Sequence, residues 1–580
     1  MDLNERAQLA EMLFPKERFS LFSLEELETR YPKRELPSGA LVTRMAPSPT
    51  GFMHIGGIYT AIIDRKLASQ SGGVFILRIE DTDVERTVPG AIETIIYYLN
   101  QYNLTPDEGP ILIKQSDNKN CSKENIEQRG NYGSYIQTQR LPIYHSVIAQ
   151  MIRDGTAYPC FCSQEELEQD RQNQRTQKIR TGYYGEWARW RNMGLKEISV
   201  ELEKKSPFVI RLRSQGKYSE RISWEDGVRR KLSLPANDID HILLKSDLIP
   251  VYHFAVVVDD HFMRVTDIIR GEEWIASVPI HLELYSLLSW TPPKMSHIST
   301  IQKLDQETVI DPENGESVVK TVKRKLSKRK DPEANMNYFH EKGYPVDAVV
   351  EYLLNLVNSD FENWRKNNPY LPHSEFQVKT ERLSPSGALA DETKLLNISK
   401  DVIAKFSIDQ TYALALDWCL TFDRELGDLL AKDPEYAKKA LGIEKNDQKS
   451  AKRIACWQDL REQLWFFYDE LFEKAPKEPF ANKDLAKQVL ESYLKICKKN
   501  YDKETWFAKC KEIAKTLNFA TSAKEYKESP QNYVGQIGEF MMIVRIALCG
   551  SVRSPDLWEF QTIIGSQKTI QRIKLAIGSL

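Results

Sequence analysis

The strongest indication of the fold comes from residues 40–57, ALVTRMAPSPTGFMHIGG. A short β-like stretch (40–46) leads into a loop rich in proline and glycine (47–57), and a helical pattern then runs as far as the glycine pair 72–73. The next segment, VFILRIEDTD (74–83), is an apolar run that ends in carboxylates, which is typical of a buried parallel strand. Strand, loop, helix and strand form a βαβ unit, and such units bind ligands at the carboxyl ends of their strands.

The same pattern returns further along the chain. FAVVVDD (254–260) is a second apolar run that ends in acids, and RVTDIIRGEEW (264–274) is a third, so both predict further strands of the sheet. Between them and the βαβ unit, residues 156–245 combine polar helices with short strands such as FVIRLRS (208–214), which indicates an insertion between two halves of one nucleotide-binding sheet. After about residue 335 helical periodicity dominates, which predicts an all-α region.

The composition excludes several classes of protein. A length of 580 residues predicts about four domains. The 80 basic and 82 acidic residues nearly cancel, which excludes a uniformly basic nucleic-acid coat protein. No apolar run reaches the ~18 residues of a membrane helix, and charges interrupt the N-terminal stretch where a signal peptide would be apolar. Eight scattered cysteines do not form a disulfide framework. We therefore expect a cytoplasmic protein with no membrane contact.

The glycine-rich loop carries the first candidate for chemistry. Gly51 and Gly56 are spaced as in a Walker A loop, but Gly57 and Ile58 stand where Lys and Ser or Thr are required, so a P-loop is excluded. The glycines would let adenine approach the backbone, and the helix that follows favours phosphate at its N-terminus. His54 could donate to a phosphoryl oxygen as negative charge develops. The alternative is a tight turn with a surface histidine.

A basic cluster carries the second candidate. TVKRKLSKRK (321–330) has six basic residues in ten and predicts a mobile loop. In such a loop Lys325 and Lys328 could close over a triphosphate and neutralise the leaving pyrophosphate. The alternatives are a solvated basic loop or a contact with nucleic acid.

Taken together, the two candidates resemble the HIGH and KMSKS signatures of class I aminoacyl-tRNA synthetases. HIGG (54–57) follows the first strand, and KLSKR (325–329) follows the last strand of the interrupted sheet. The flanking segments resemble the bacterial-type glutamyl-tRNA synthetases, in order, from about residue 41 to 575. The segments that carry this resemblance are RMAPSPTGFMHIGGIYTA (44–61), GGVFILRIEDTD (72–83), NYGSYIQTQR (131–140), GTAYPCFC (155–162), FAVVVDD, DIIRGEEW, RKLSKR and IALCGSVRSPDLWEF (546–560).

The resemblance implies a multidomain fold, α/β followed by all-α. A class I Rossmann-like catalytic domain would contain an inserted acceptor-stem-binding domain and precede a helical anticodon-binding region. The expected boundaries are an N-terminal extension (1–40), the two catalytic halves (41–155 and 246–300), the insertion (156–245), a stem-contact region with the KLSKR loop (301–390) and the anticodon-binding domain (391–580). We derive no role for residues 1–40, nor for the polar stretch 116–131, which we expect to be a surface loop.

The resemblance also implies site residues. The glutamate pocket would comprise Arg44, Ala46, Ser48, Glu80, Tyr252 and Arg270, with Glu80 on the α-amino group. The ATP site would comprise Gly56, Gly57, Glu273, Trp274, Lys325, Ser327 and Lys328, with His54, Lys325 and Lys328 as the catalytic groups. A guanidinium distinguishes the carboxylate of glutamate from the amide of glutamine, and we assign Arg44 to the γ-carboxylate and Arg270 to the α-carboxylate side. For Trp274 a core position is an equal alternative.

The activity implied is ATP-dependent ligation of L-glutamate to tRNA(Glu) through a glutamyl adenylate, with release of AMP and pyrophosphate. The expected cofactors are ATP and Mg²⁺, activation would require bound tRNA, and the expected oligomeric state is a monomer. Whether tRNA(Gln) is also charged stays open. Among rivals, a glutaminyl-tRNA synthetase ends in β-barrels, a tRNA-modifying paralogue lacks the anticodon-binding half, and a non-enzymatic scaffold would be expected to lose His54 or Lys328.

Two departures from the family's pattern limit what carries over. Cys160 and Cys162 match a zinc-binding pair found in the family, but residues 183–192 contain neither Cys nor His for a second pair. A structural zinc takes four ligands, so we expect no metal site. Val256 stands where some members have asparagine, so that polar contact is not expected here.

Overall fold

The computed structural model describes residues 1–113, 126–310, 317–327, 329–443, 452–497 and 501–580. The chain forms two compact units. The first comprises residues 1–338 and 350–391, and the second residues 339–349 and 392–580. The finer division of the first unit into domains stays a prediction.

The first unit mixes helices and strands, as predicted. Its elements up to residue 244 are α1 (Leu3–Leu13), α2 (Leu24–Arg30), β1 (Val42–Met45), α3 (Ile55–Ser71), β2 (Val74–Leu77), α4 (Ala91–Gln101), β3 (Gly109–Leu112), β4 (Ile126–Arg129), α5 (Leu141–Arg153), β5 (Ala157–Cys160), α6 (Gln164–Thr176), α7 (Leu195–Glu203), β6 (Val209–Leu212), β7 (Arg221–Asp226), β8 (Arg230–Pro235) and β9 (Ile242–Leu244). Then follow α8 (Tyr252–Phe262), β10 (Asp267–Gly271), α9 (Val278–Leu287), β11 (Lys294–Ile298), β12 (Ile301–Ile310), β13 (Ser317–Lys325), α10 (Met336–Lys342), α11 (Val346–Val357), α12 (Asp360–Asn367) and β14 (Ala388–Leu389). The end of α10 and the start of α11 fall in residues 339–349 and so belong to the second unit.

The βαβ unit predicted from residues 40–83 is confirmed. β1 and β2 pair in parallel, from Val42 opposite Val74 to Met45 opposite Leu77, and α3 connects them. The helix ends where predicted, because Gly72 adopts the left-handed conformation (φ 69°) that favours glycine at a helix C-terminus. The loops at the carboxyl ends of both strands therefore meet at one edge.

A second parallel pair lies beside the first. β10 pairs with β11, and the backbone N–H of Thr266 donates to the carbonyl of Val42 at 3.0 Å, which attaches the start of β10 to β1. The strand predicted within residues 264–274 is confirmed, and its carboxyl end carries Arg270 to the same edge as the βαβ loops.

The strand predicted for residues 254–260 is wrong, because this run lies in the helix α8. Every residue from Phe254 to Asp260 is buried, so the helix has no polar face and its sequence lacks the 3.6-residue period that would reveal it. A buried helix and a buried strand give the same continuous apolar run. The two acids at its end, Asp259 and Asp260, nevertheless pair with arginines of the site described below.

Two predicted loops are also partly wrong. The basic cluster 321–330 is not all loop, because its residues up to Lys325 form the end of β13, which pairs antiparallel with β12. Within the polar stretch 116–131, Ile126–Arg129 is β4, paired with β3. Lys328 and residues 114–125 lie outside the described residues.

The N-terminal residues form two helices that pack into the first unit. Leu9 and Leu13 of α1 and Phe14, which follows it, are buried in one core with Val147 and Ile148 of α5. In the inserted segment, β5, β6 and β9 form one antiparallel sheet and β7 and β8 a hairpin.

The second unit is helical, which confirms the prediction from periodicity. Its elements after residue 391 are α13 (Glu392–Lys405), α14 (Ile408–Phe422), α15 (Arg424–Lys432), α16 (Pro434–Gly442), α17 (Leu460–Leu464), α18 (Asp469–Lys474), α19 (Lys483–Tyr493), α20 (Lys503–Thr516), β15 (Phe519–Ala520), α21 (Ala523–Glu528), β16 (Gly535–Gln536), α22 (Ile537–Cys549) and α23 (Leu557–Gly578). None of the helices in the described ranges combines the length and apolar character that crossing a bilayer requires.

Candidate active site

A cavity of about 960 Å³ opens in the first unit at the carboxyl ends of β1, β2 and β10. The predicted residues that line it come from five separate stretches of the sequence. The predicted site residues that line it are Arg44, Ala46, Ser48, His54, Gly56, Gly57, Glu80, Tyr252, Arg270, Glu273, Trp274 and Lys325. Ser327 does not line the cavity, and Lys328 lies outside the described residues.

His54 is the residue that caps α3. Its Nδ1 accepts the backbone N–H of Gly56 at 2.9 Å, so the proton of the neutral ring resides on Nε2. A Cβ at position 56 would lie 3.0 Å from that Nδ1, so a larger residue there would crowd the imidazole. The ring is thus oriented by the helix start and can act as a donor through Nε2.

Lys325 and Glu273 meet at the mouth of the cavity. Lys325 Nζ lies 2.5 Å from Glu273 Oε1, and both side chains remain about half exposed. Next to them Trp274 is 36% exposed, and its ring centroid lies 4.4 Å from that of Tyr252. Trp274 is therefore a wall of the cavity and not a core residue.

A buried network of charges supports the floor. Arg44 Nε donates to Asp260 Oδ1 at 3.2 Å, and Arg78 Nη1 donates to the same oxygen at 2.6 Å. Arg78 Nη2 also reaches Glu80 Oε1 at 3.2 Å. Burial alone would raise the pKa of Asp260, but Arg44 and Arg78 hold it below its ordinary value. For Glu80 burial dominates and the pKa is raised, although Arg78 and Arg44 act against it.

Sequence reasoning missed the supporting members of this network. Asp259, beside Asp260 on α8, accepts from Arg140 Nε at 2.6 Å and from the Tyr144 hydroxyl at 2.8 Å. The available signal was the presence of charges inside apolar runs, at Arg78 in VFILRIED and at the acids in FAVVVDD, because charges are rarely fully buried unless paired.

Arg270 has a different environment from Arg44. Its guanidinium is buried. Nε donates to His297 Nε2 at 2.9 Å, and Nη1 lies 3.2 Å from His281 Nδ1. In the described part of the chain, no carboxylate oxygen lies within 4.0 Å of a nitrogen of Arg270, the limit for an ion pair. Burial lowers the pKa of Arg270, whereas Asp260 overcomes burial and raises that of Arg44. Arginine stays protonated in proteins, so Arg270 is a buried cation with neutral contacts.

The cysteine pair of the inserted segment is partnered by a tyrosine. Cys160 Sγ lies 3.3 Å and Cys162 Sγ 3.5 Å from the Tyr183 hydroxyl. Over the described ranges, no three His, Cys, Asp or Glu side chains are grouped so as to hold a metal ion. This donor set does not fit a four-ligand structural zinc site.

Comparison with known proteins identifies the family. Residues 40–396 match the family described as tRNA synthetases class I (E and Q), catalytic domain, and residues 412–577 match the family described as anticodon binding domain. A glutamate–tRNA ligase from Sorangium cellulosum is 47% identical over 556 residues, which cover 95% of this chain and 97% of that protein. One from Acetivibrio thermocellus is 42% identical and covers 98% of this chain and 99% of its own.

Solved structures agree with the sequence comparisons. The crystal structure of a glutamate–tRNA synthetase from Elizabethkingia anophelis is similar with a TM-score of 0.69 at 26% sequence identity, over 93% of this chain and 100% of that chain. Because both the catalytic and the anticodon-binding parts are matched over nearly the whole length, the chain belongs to the glutamate–tRNA ligase family of class I tRNA synthetases.

Proposed function

We propose that this protein joins L-glutamate to tRNA(Glu) in two steps within the cavity of the first unit. The glutamate α-carboxylate attacks the α-phosphate of ATP and expels pyrophosphate, and a ribose hydroxyl of the tRNA terminal adenosine then attacks the glutamyl adenylate. The observation that carries the proposal is the buried Arg270, a cation in a cavity wall whose contacts are neutral, because such a group is satisfied by an anionic substrate.

Glutamate would lie between Glu80 and the two arginines. Glu80 accepts the α-ammonium group, whose charge offsets the cost of burying that carboxylate. On sequence alone we assign Arg44 to the γ-carboxylate, but the electrostatics favour Arg270 for that role. Arg44 already contacts Asp260, whose charge it shares with Arg78, whereas no carboxylate in the described residues pairs with Arg270 and its charge is left for the ligand. Ala46, Ser48 and Tyr252 complete the walls.

ATP would lie between the His54 loop and β13. His54 Nε2 donates to a phosphoryl oxygen as charge builds up, while Gly56 and Gly57 admit the nucleotide close to the backbone. Lys325 leaves Glu273 for the departing pyrophosphate, and Lys328 acts with it, with Ser327 between them. Mg²⁺ bound with ATP would supply neutralisation of phosphate charge, and we assign no protein ligand to it.

The remaining parts would hold tRNA. We assign the acceptor end to residues 156–245, the inner stem to 301–390 and the anticodon to 391–580. We further propose that the enzyme acts as a monomer in the cytoplasm. Whether tRNA(Gln) is also charged depends on few contacts in the anticodon-binding domain, so aminoacylation is to be measured with both tRNA(Glu) and tRNA(Gln).

Glutamate-dependent pyrophosphate exchange tests the proposed function. We expect exchange with glutamate and tRNA(Glu) together, none with glutamine, and none when tRNA is omitted. Parallel aminoacylation of purified tRNA(Glu) and tRNA(Gln) defines the acceptor. Exchange supported by glutamine, or no exchange under any condition, would contradict the proposal.

We also propose that the protein holds no structural zinc. Elemental analysis should find well under one zinc per chain, because Cys160 and Cys162 contact Tyr183 and lack a second Cys or His pair within the described residues. Treatment with a chelator should leave the melting temperature unchanged, since a structural zinc contributes directly to folding. One zinc per chain would show that the ligands lie elsewhere, for example at Cys121 or His241.

A further inference from the structure

Arg270 sits in the middle of a chain of buried hydrogen bonds formed largely by histidines. On one side its Nε contacts His297 Nε2 at 2.9 Å, and His297 Nδ1 lies 2.5 Å from Asp226 Oδ2. On the other side its Nη1 lies 3.2 Å from His281 Nδ1, and His281 Nε2 lies 3.1 Å from His253 Nδ1. These hydrogen bonds connect residues of β7, β11, β10, α9 and α8.

The donors and acceptors in this chain are determined by Arg270, because a guanidinium only donates. His297 must accept at Nε2, so its proton is on Nδ1 and is donated to Asp226. His281 must accept at Nδ1, so its proton is on Nε2 and is donated to His253. Each ring therefore has one tautomer that satisfies every contact.

The histidines that contact Arg270 are neutral. Burial and then the charge of Arg270 hold the pKa of His281 well below its ordinary value, and the same two causes lower that of His253 to about 4. Burial also lowers the pKa of His297, against the opposing effect of Asp226. Asp226 is the one carboxylate among these hydrogen-bonded residues, and the imidazole of His297 separates it from the guanidinium.

The two arginines of the pocket thus have opposite arrangements. A carboxylate contacts Arg44 directly, whereas neutral rings contact Arg270. A neutral acceptor fixes the orientation of a guanidinium without cancelling its charge. The full charge is then available to a ligand in the cavity.

We propose that His281 and His297 are positioning residues that determine the preference for glutamate over glutamine, because they orient Arg270 through neutral acceptors and leave its charge for the side-chain carboxylate of the substrate. The inference rests on the proposed function. It adds that the residue type contacting Arg270 sets amino-acid specificity.

A matched pair of substitutions tests the proposal. His281→Glu places a carboxylate against Arg270, and His281→Gln places a neutral acceptor of similar size there. We expect His281→Glu to lower kcat/KM for glutamate by about 10²-fold or more, since the new ion pair must be broken for the substrate to bind. Glutamine, which is neutral, should change by less than about tenfold, and His281→Gln should keep the preference for glutamate to within about tenfold.

The readout is kcat/KM for both amino acids in tRNA-dependent pyrophosphate exchange, with the KM for ATP as an internal control. A merely structural role of His281 predicts equal losses in the two variants and an unchanged ratio of glutamate to glutamine, and that result would overturn the proposal. Absence of glutamate activation in the unmodified enzyme would instead refute the proposed function.

Asp226→Asn provides a second variant should His281→Glu fail to fold. It removes the carboxylate that holds the proton on His297 Nδ1, so the ring can place a proton on Nε2, opposite the Arg270 donor. We expect the preference for glutamate to fall at least about tenfold with an unchanged KM for ATP. An unchanged preference in this variant would equally overturn the proposal.

Discussion

Replacing Arg270 with glutamine is expected to reduce kcat/KM for glutamate by about 10²-fold or more while glutamine activation falls little or rises. Glutamate and glutamine have nearly the same shape, so only the charge of the side-chain group separates them. Arg270 is the buried cation whose contacts are neutral, and without it the γ-carboxylate would be buried unpaired. Pyrophosphate exchange with each amino acid measures the ratio.

Two control variants sharpen this experiment. Arg270→Lys keeps the charge but loses the planar two-pronged geometry, so it should retain the preference at a reduced rate. Arg44→Gln should weaken binding of both amino acids, since Asp260 also pairs with Arg78 and stays compensated. If only Arg44→Gln loses the preference for glutamate, the assignment made from the sequence, with Arg44 on the γ-carboxylate, is restored.

Replacing His54 with asparagine is expected to slow adenylate formation by about 10²–10³-fold, the usual effect of removing one donor that stabilises developing charge. Asparagine is a good N-cap residue, so the start of α3 should persist and the melting temperature should hold. Single-turnover formation of glutamyl adenylate in the presence of tRNA isolates this step from binding.

His54→Ala separates the two roles of this histidine. It removes both the donor and the cap, so it should show the same loss of rate together with a destabilisation of about 0.5–2 kcal/mol. A His54→Asn enzyme that forms adenylate at the unmodified rate would contradict the assignment of Nε2 as a donor to phosphate.

Sequence alone located the catalytic unit well because its signals are local. The loop 47–57 and the strands on either side lie within about 45 residues, and the structure brings twelve of the predicted site residues to one cavity, whereas Ser327 does not line it and Lys328 lies outside the described residues. What it missed depends on contacts between distant segments. The sequence of α8 predicts a strand, because burial on all sides removes the helical periodicity, and the ion pair of Asp260 with Arg44 joins residues 216 positions apart.

The histidine contacts of Arg270 illustrate the same limit. His281 and His297 lie 11 and 27 residues from Arg270, on different elements, and neither belongs to a short motif with a known chemistry. An isolated histidine in an apolar segment gives no sign of its partner. Only the fold reveals that neutral rings stand where an ion pair would be expected.

The packing of the N-terminal helices has a consequence for biosynthesis. Arg34 donates to the Met263 carbonyl, a contact between residues 229 positions apart, and the core that buries Leu9 and Phe14 extends as far as Met295. A ribosome adding about 5–20 residues per second would need roughly ten to fifty seconds to complete that interval. The first helix can meet Val147 and Ile148 of α5 partway through that interval, but the later members of its core, up to Met295, are then still missing. The core around the N-terminal segment is therefore completed only when synthesis of the first unit is far advanced.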